Sequence, residues 1–204
     1  MSAKVTKSTE ATRRYRKRAR ADAEAQTRRR ITEAAVKLHG TVGPARTTIK
    51  GVAEEAGVQR ATVYRHFPTE EALFAACSGH WASLNPPPDP EGWRKIAGPD
   101  ERLRVALGEL YPWYERGEAM LTNVVRDAPL VPAMRQAVGA RHAMIALYVE
   151  TLMAGRRERG RRRERAAAAI GHALDFMTWR SLVEDRSLET DEAVELMARL
   201  VESA

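Results

Sequence analysis

The sequence predicts an all-α protein. Three observations carry that expectation. Apolar residues recur at three- and four-residue intervals from Ile31 onward, and no segment shows the strict alternation of a half-buried strand. Glycines and prolines fall between the periodic segments, where helices stop. There is no internal repeat.

Residues Met1 to Lys7 are small, polar and basic and are expected to be mobile. The stretch "TEATRRYRKRARADAEAQTRRR", Thr9 to Arg30, has high helix propensity but almost no apolar face. It either extends the next helix or orders only on a partner. The first amphipathic helix runs to His39, with Ile31, Ala34, Ala35 and Leu38 on one face and Gly40 closing it. After the loop "GTVGPART", Thr48 is an N-cap for a short helix through Ala56, whose inner side is Ile49, Val52, Ala53 and Ala56. Gly57 suits a left-handed position just past that helix. A second short helix follows, and after Pro68 a third is capped by Thr69 with Glu70 and Glu71 at its positive end. Its apolar stripe is Leu73, Phe74 and Cys77.

"LNPPPDPEGWRKIAGPD", Leu84 to Asp100, is rich in proline and reads as a loop or linker and a domain boundary. Beyond it the helical patterns are Asp100–Arg116, Glu118–Ala128, Pro132–Arg156, Arg161–Asp185 and Asp191–Glu202, with breaks at Gly117, Pro129 and Gly160. The expected organisation is a flexible basic arm (1–18), a domain of short helices (19–83), a Pro/Gly-rich connection (84–99) and a helical domain (100–204).

Charge is distributed unevenly over the 204 residues. Up to Pro68 there are 16 Lys/Arg against 6 Asp/Glu, and afterwards 18 against 21, within an overall net charge of +7. A basic front and a nearly neutral remainder point to a polyanionic partner for the front, against the plainer reading of a solubilising tail. The single cysteine, Cys77, excludes an internal disulfide and a cysteine-based zinc site, which suits a reducing cytoplasm. No apolar run reaches the roughly 20 residues a membrane span needs. No nucleophile elbow, phosphate-cradling glycine loop or dinucleotide fingerprint is present, so an enzyme and a cofactor are not expected.

The segment "GVQRATVYRHF", Gly57 to Phe67, is too polar to stand as an isolated helix. At roughly 100° per residue Val63 and Phe67 share one side, with Val58 leading in, while Ala61 and Arg65 point the other way, flanked by Thr62 and Tyr64. The inner side can pack on Val52, Ala53 and Ala56 across the Gly57 turn. Two short helices joined this way, the second with a polar outer face, form a helix-turn-helix. Gln59 and Arg60 can reach base edges or phosphates, Ala61 keeps the backbone close, Thr62 and Tyr64 offer hydroxyls, and Arg65 can pair with guanine or phosphate.

These residues carry a resemblance. The stretch from Arg28 to Cys77, with Ile31, Ala34, Ala35, Leu38, Thr48, Val52, Ala53, Ala56-Gly57-Val58, Thr62, Val63-Tyr64, His66-Phe67, Glu71 and Leu73 at family-like spacing, resembles the tetracycline-repressor (TetR) family of bacterial transcription regulators. The rest of the chain matches only in style. The resemblance implies a fold of about nine helices and a homodimer on a palindromic operator. It also implies that Thr48, Gln59, Arg60, Thr62, Tyr64, Arg65 and His66 lie near DNA; Arg46, Thr47, Lys50 and Ala61 complete the candidate DNA-binding set. Two positions depart from the family pattern: Gln59 stands where Ser or Thr is common as a cap, and Glu70 where a phosphate-binding Lys is common. The arm from Lys4 to Arg20, with eight basic residues and one acid, either follows the groove or backbone beside the site or is an uninvolved solvated tail.

In the C-terminal helices a set of large side chains is interleaved with polar groups. The candidate effector-binding residues are Tyr111, Trp113, Tyr114, Met120, Asn123, Arg126, Met144, Tyr148, Phe176 and Trp179, for an apolar or aromatic molecule. For any one of them core packing is the alternative. "RAAAAIGHALDF" (Arg165 to Phe176) and the last helix suggest a two-fold interface through Ala168, Ala169, His172, Phe176, Val194, Met197, Leu200 and Val201, with intrachain packing as the competing account. His142, His172 and Asp175 lack a metal-site signature. The run "RRERGRRRER", Arg156 to Arg165, reads as solvated charge, with a second nucleic-acid patch as its alternative. The expectation is an effector-responsive regulator, with an activator or an architectural DNA-binding protein as alternatives.

Overall fold

The computed structural model describes residues 3–204, and side chains from Arg14 onward. Met1 and Ser2, and the side chains of the arm up to residue 13, lie outside the described residues. Helix α1 spans Ala3–Thr41 as one rod of 39 residues, so the arm continues into the first amphipathic helix. Its propensity is high and no breaker interrupts it. From Arg14 to Arg30 its side chains are exposed apart from half-buried Thr27, and burial begins at Ile31, where the apolar pattern begins.

Three helices pack on the end of α1. They are α2 (Ile49–Glu55), α3 (Arg60–His66) and α4 (Glu70–Leu84). Thr48 caps α2 by accepting from the Gly51 N–H at 3.0 Å, and Thr69 caps α4 by accepting from Ala72 at 3.2 Å. The α2–α3 turn depends on Gly57 at φ 63°, which lets the Val58 N–H return to the Ala53 carbonyl at 2.9 Å. Ile31, Ala35, Val52, Val63, Phe67 and Leu73 close this first core.

The connection after α4 is not a free linker. It contains α5 (Pro90–Arg94), capped by Asp89, and hydrogen bonds fasten it to the following helices, among them those from Arg102 to the Ile96 carbonyl at 3.0 and 2.7 Å. Trp93 is buried and donates to Glu109 at 2.8 Å, the Trp113 indole donates to the Asn85 carbonyl at 3.1 Å, and the Tyr148 hydroxyl donates to Pro88 at 2.5 Å. Prolines mark irregular backbone but say nothing about what that backbone docks against.

The second core is built on α6 (Pro99–Asp127), α7 (Arg135–Met153), α8 (Arg161–Ala173), α9 (Phe176–Val183) and α10 (Thr190–Glu202). Short 3-10 turns at Pro44–Arg46 and Pro132–Met134 precede α2 and α7. The expected break at Gly117 does not occur: α6 runs through it. A Cβ on Gly117 would meet the Trp81 ring at 3.1 Å, so this glycine permits close approach of α4 rather than ending a helix. Conversely, the expected helix 161–185 is divided. Asp175 caps a new helix by accepting from Met177 at 2.7 Å, and the buried hydroxyls of Tyr111 and Tyr114 donate to the freed carbonyls of Ala173 and Leu174 at 3.0 and 2.6 Å. All described elements are helical.

Candidate nucleic-acid interface and cavity

Helix α3 owes its position to its inner face. Val63 and Phe67 are buried and Val58 packs beside them, while Gln59, Arg60, Ala61, Tyr64 and Arg65 are exposed and Thr62 is half-buried. Tyr64 leaves 48% of its surface in solvent, far more than an isolated tyrosine needs for packing. Thr48, Lys50 and Arg46 are exposed beside this face; Lys50 faces Glu54 at 3.7 Å, a solvated pair of little energetic weight. Thr47 is half-buried and its hydroxyl donates to Gly43 at 2.8 Å. The Gln59 side chain makes no cap hydrogen bond, leaving its amide free at the exposed N-terminus of α3. Glu70 is exposed at the start of α4.

His66 corrects the expectation. It lies three residues after Val63, on the same side of α3, and is 8% exposed, so it is held away from the outer face. Its carbonyl instead accepts from Arg28 on α1 at 2.6 Å, and the same guanidinium covers the Phe67 ring at 4.1 Å. Arg28, which reads in sequence as one more basic residue of the arm, therefore locks the end of α3.

The C-terminal candidates separate into three groups. Trp113, Met120 and Met144 line a cavity of about 850 Å³. Tyr111, Tyr114, Phe176 and Trp179 do not; they form the aromatic core behind it, and Tyr148 packs on Trp93 at 4.7 Å. Asn123 and Arg126 face elsewhere on α6. The Asn123 amide donates to the His39 and Gly40 carbonyls at 3.0 Å each, satisfying the end of α1. Arg126 forks onto Asp127 at 2.6 and 3.0 Å, and the Asp127 carboxylate accepts from the Ala45 N–H at 2.9 Å. The Arg126 guanidinium, aided by that backbone donor, holds the Asp127 carboxyl below the usual carboxylate range despite its burial. A Cβ at Gly43 would collide with both side chains, and its φ of 93° suits only glycine.

The cavity opens along the seam between these layers. Val36 and His39 of α1 and Phe74, Cys77 and Trp81 of α4 form one side, and Val124, Val125, Val138, Met144 and Ile145 of α6 and α7 the other. His39 stacks on Phe74 at 4.8 Å, and burial lowers its pKa to about 4, so it is neutral at pH 7. Burial pushes the Cys77 thiol up to about 12, leaving it an inert apolar wall. Periodicity finds these residues as core positions but cannot show which core positions leave a space.

The dimer-interface candidates also need correction. Phe176, Val194, Met197 and Val201 are buried inside the chain, where they pack on its own core. Ala168, His172 and Leu200 are exposed and Ala169 is half-buried; Leu196 joins Leu200 as an exposed i, i+4 pair that the sequence reading missed. Asp175 is the cap of α9 rather than the helical partner of His172. Among the described residues no group of three His, Cys, Asp or Glu side chains could hold a metal, and no helix is long and apolar enough to cross a membrane. In the arginine run, Arg156 is buried against Asp100 at 2.9 Å, while residues 161–165 are exposed.

A supported short helix with a polar outer face, carried on a larger helical domain with its own cavity, is a helix-turn-helix arrangement of the kind that docks in a DNA groove. Residues 31–77 match the family model of bacterial regulatory proteins, tetR family. No curated protein matches the sequence. Among solved structures, the chain is similar to a TetR-like transcriptional regulator from Rhodococcus sp. RHA1. Identity is 20%, over 86% of this chain and 93% of that one, with a TM-score of 0.62. It is also similar to the TetR family regulator PfmR from Thermus thermophilus, at 20% identity over 84% and 96% of the two chains and a TM-score of 0.60. A third is a putative transcriptional regulator from Saccharomonospora viridis in complex with choline: 21% identity, 87% and 96% covered, TM-score 0.56. Residues 31–77 thus match the tetR family model, and the chain as a whole has the TetR-like fold.

Proposed function

We propose that the protein is an effector-responsive transcriptional repressor that binds a palindromic operator as a homodimer in the cytoplasm. Gln59, Arg60, Ala61, Thr62, Tyr64 and Arg65 enter the major groove, with Arg46, Thr48 and Lys50 on adjacent phosphates. Two copies reach half-sites about 34–36 Å apart. The second copy packs on the exposed strip of α8 and α10 that contains Ala168, His172, Leu196 and Leu200. The proposed division places the DNA-binding domain in the helices up to residue 83 and the effector and pairing domain from residue 100.

The observation that carries this reading is the position of the cavity. Val124, Val125 and Ala128 line it, and the intervening turns of the same helix hold the DNA-binding side through Asn123, Asp127 and Arg126. An apolar effector that spreads α1 and α4 from α6 and α7 acts on these contacts directly. It favours release only through unequal affinity for the two arrangements.

Selection of genomic DNA fragments by the purified protein tests this. A palindromic site is expected, and recovery of random fragments would favour an architectural role. Arg65→Ala is expected to weaken binding to the selected site by about 1–3 kcal/mol with helicity retained. Undiminished affinity would remove α3 from the groove.

A further inference from the structure

Arg141 occupies a position that should be apolar. The inner stripe of α7 runs through Ala137, Val138, Met144 and Ile145, and Arg141 lies on it, three residues from Val138 and three from Met144. It is half-buried at the cavity wall. Among the described residues no carboxylate forms an ion pair with it. Its neighbours are aromatic: the guanidinium carbon stands 5.8 Å from the centre of the Phe176 ring. It also acts on the Tyr114 hydroxyl, opposing the burial that raises the pKa of that phenol. That hydroxyl donates to the Leu174 carbonyl and leaves only its oxygen as a neutral acceptor for Arg141, which does not balance the guanidinium charge.

A molecule filling the cavity would cover this guanidinium. A neutral apolar molecule would strip its water and return nothing, which is costly for a charge. A cationic one would add repulsion. Asp175 reaches the same cavity, but it is exposed and one of its oxygens caps α9. Covering Arg141 therefore has the larger consequence. His142 is exposed at the wall and His39 is neutral, so Arg141 is the one half-buried fixed positive charge in a mostly apolar lining, with the exposed Asp175 carboxylate at its edge.

We propose that the cavity takes an amphipathic organic acid with one carboxylate, placed on Arg141, and an apolar body lying between Phe74, Trp81, Trp113 and Met144. The inference rests on the reading of the cavity as the effector site and supplies the chemical class of the effector. Charge-assisted pairing at the covered guanidinium discriminates acid from neutral isostere, and the apolar seam provides affinity for the body.

The test uses the full chain and three probes of equal chain length: decanoate, decanamide and decyltrimethylammonium. Binding is read by tryptophan fluorescence, because Trp81 and Trp113 line the cavity. Decanoate is expected to bind roughly 10- to 100-fold more tightly than decanamide, the range for a hydrogen bond to a charged group. Arg141→Gln should bring decanoate down to the level of decanamide, and Arg141→Lys should restore part of the preference. Retained binding to the selected DNA shows that each variant is folded. Equal binding of acid and amide, an acid preference that survives Arg141→Gln, tightest binding of the ammonium, or no binding of any probe each overturns the proposal. Release of DNA is measured separately. If decanoate binds through Arg141 and the DNA complex persists, the effector reading fails and the ligand class stands. If acid and amide bind alike and both release DNA, the reverse holds.

Discussion

Around Phe67 the helix-turn-helix core holds mainly alanine, valine, isoleucine and leucine, whereas the C-terminal core is built on Trp93, Tyr111, Tyr114, Tyr148, Phe176 and Trp179. The first closes tightly with small side chains from short, adjacent helices. The second uses large rings whose polar tips reach distant backbone: Tyr111 and Tyr114 cross about sixty positions of sequence to satisfy the α8–α9 break. The difference suits the tasks proposed for them. A groove-reading helix needs one rigid placement, and a ligand-binding region needs large walls around a space. The cavity lies where the two meet, because α4 belongs to the first core through Leu73 and Cys77 and to the cavity wall through Phe74 and Trp81.

The sharpest way to break this comparison is Phe67→Ala. Removing a buried phenylalanine costs about 3–5 kcal/mol, and here it also strips Arg28 of its ring. DNA binding and part of the helical signal are expected to be lost. The fluorescence of Trp93, Trp113 and Trp179, read in a background with Trp81 replaced by Phe, should keep its native transition. If that transition moves by the same amount, the two cores melt as one unit and the distinction falls.

A comparable effect at the seam is expected from pH. The pKa of His39 is about 4 in the fold against 6.5 unfolded, so below pH 6.5 the unfolded chain binds the extra proton. Stability from this group is complete above pH 6.5 and declines as pH falls, by about 3 kcal/mol near pH 4. His39→Phe keeps a ring on Phe74 and removes the titration. Denaturant unfolding at several pH values should show a shallower acid loss in the variant, and parallel curves would mean that His39 is not buried neutral.

The smallest expected effect is at the turn. Gly57→Ala adds a Cβ that meets nothing within 4 Å, so only the left-handed φ opposes it, at a cost of about 1–2 kcal/mol. The melting temperature of the helix-turn-helix should drop slightly, with α3 retained. A gain in stability would show that the turn relaxes to another conformation.

Local chemistry made much of the first core legible. Thr48, Gly57, Val63, Phe67 and Thr69 occupy the roles that caps, turns and periodicity assign, because neighbours in sequence are neighbours in those short helices. His66 escaped because a histidine beside an arginine at a helix end looks exposed, and only the α1 contact decides otherwise. In the C-terminal region, aromatic residues mark importance without marking location. Tyr111, Tyr114, Phe176 and Trp179 became core, while Phe74, placed by sequence on the stripe of an earlier helix, and Trp81, which the sequence reading did not single out, became cavity wall. Arg141 had a readable signal, a charge on an apolar stripe, whose meaning depended on what lay opposite.

By itself the sequence determined the helical class, the helix-turn-helix, its outward face and the basic front, since each follows from spacing, capping and charge over a few residues. Tertiary structure alone decided that α6 passes through Gly117, that Asp175 starts a new helix, that Asn123 and Asp127 hold the DNA-binding side, and that a space remains at the seam. Those outcomes depend on which side chains arrive from far along the chain and how much volume they leave unfilled, and no local pattern records that.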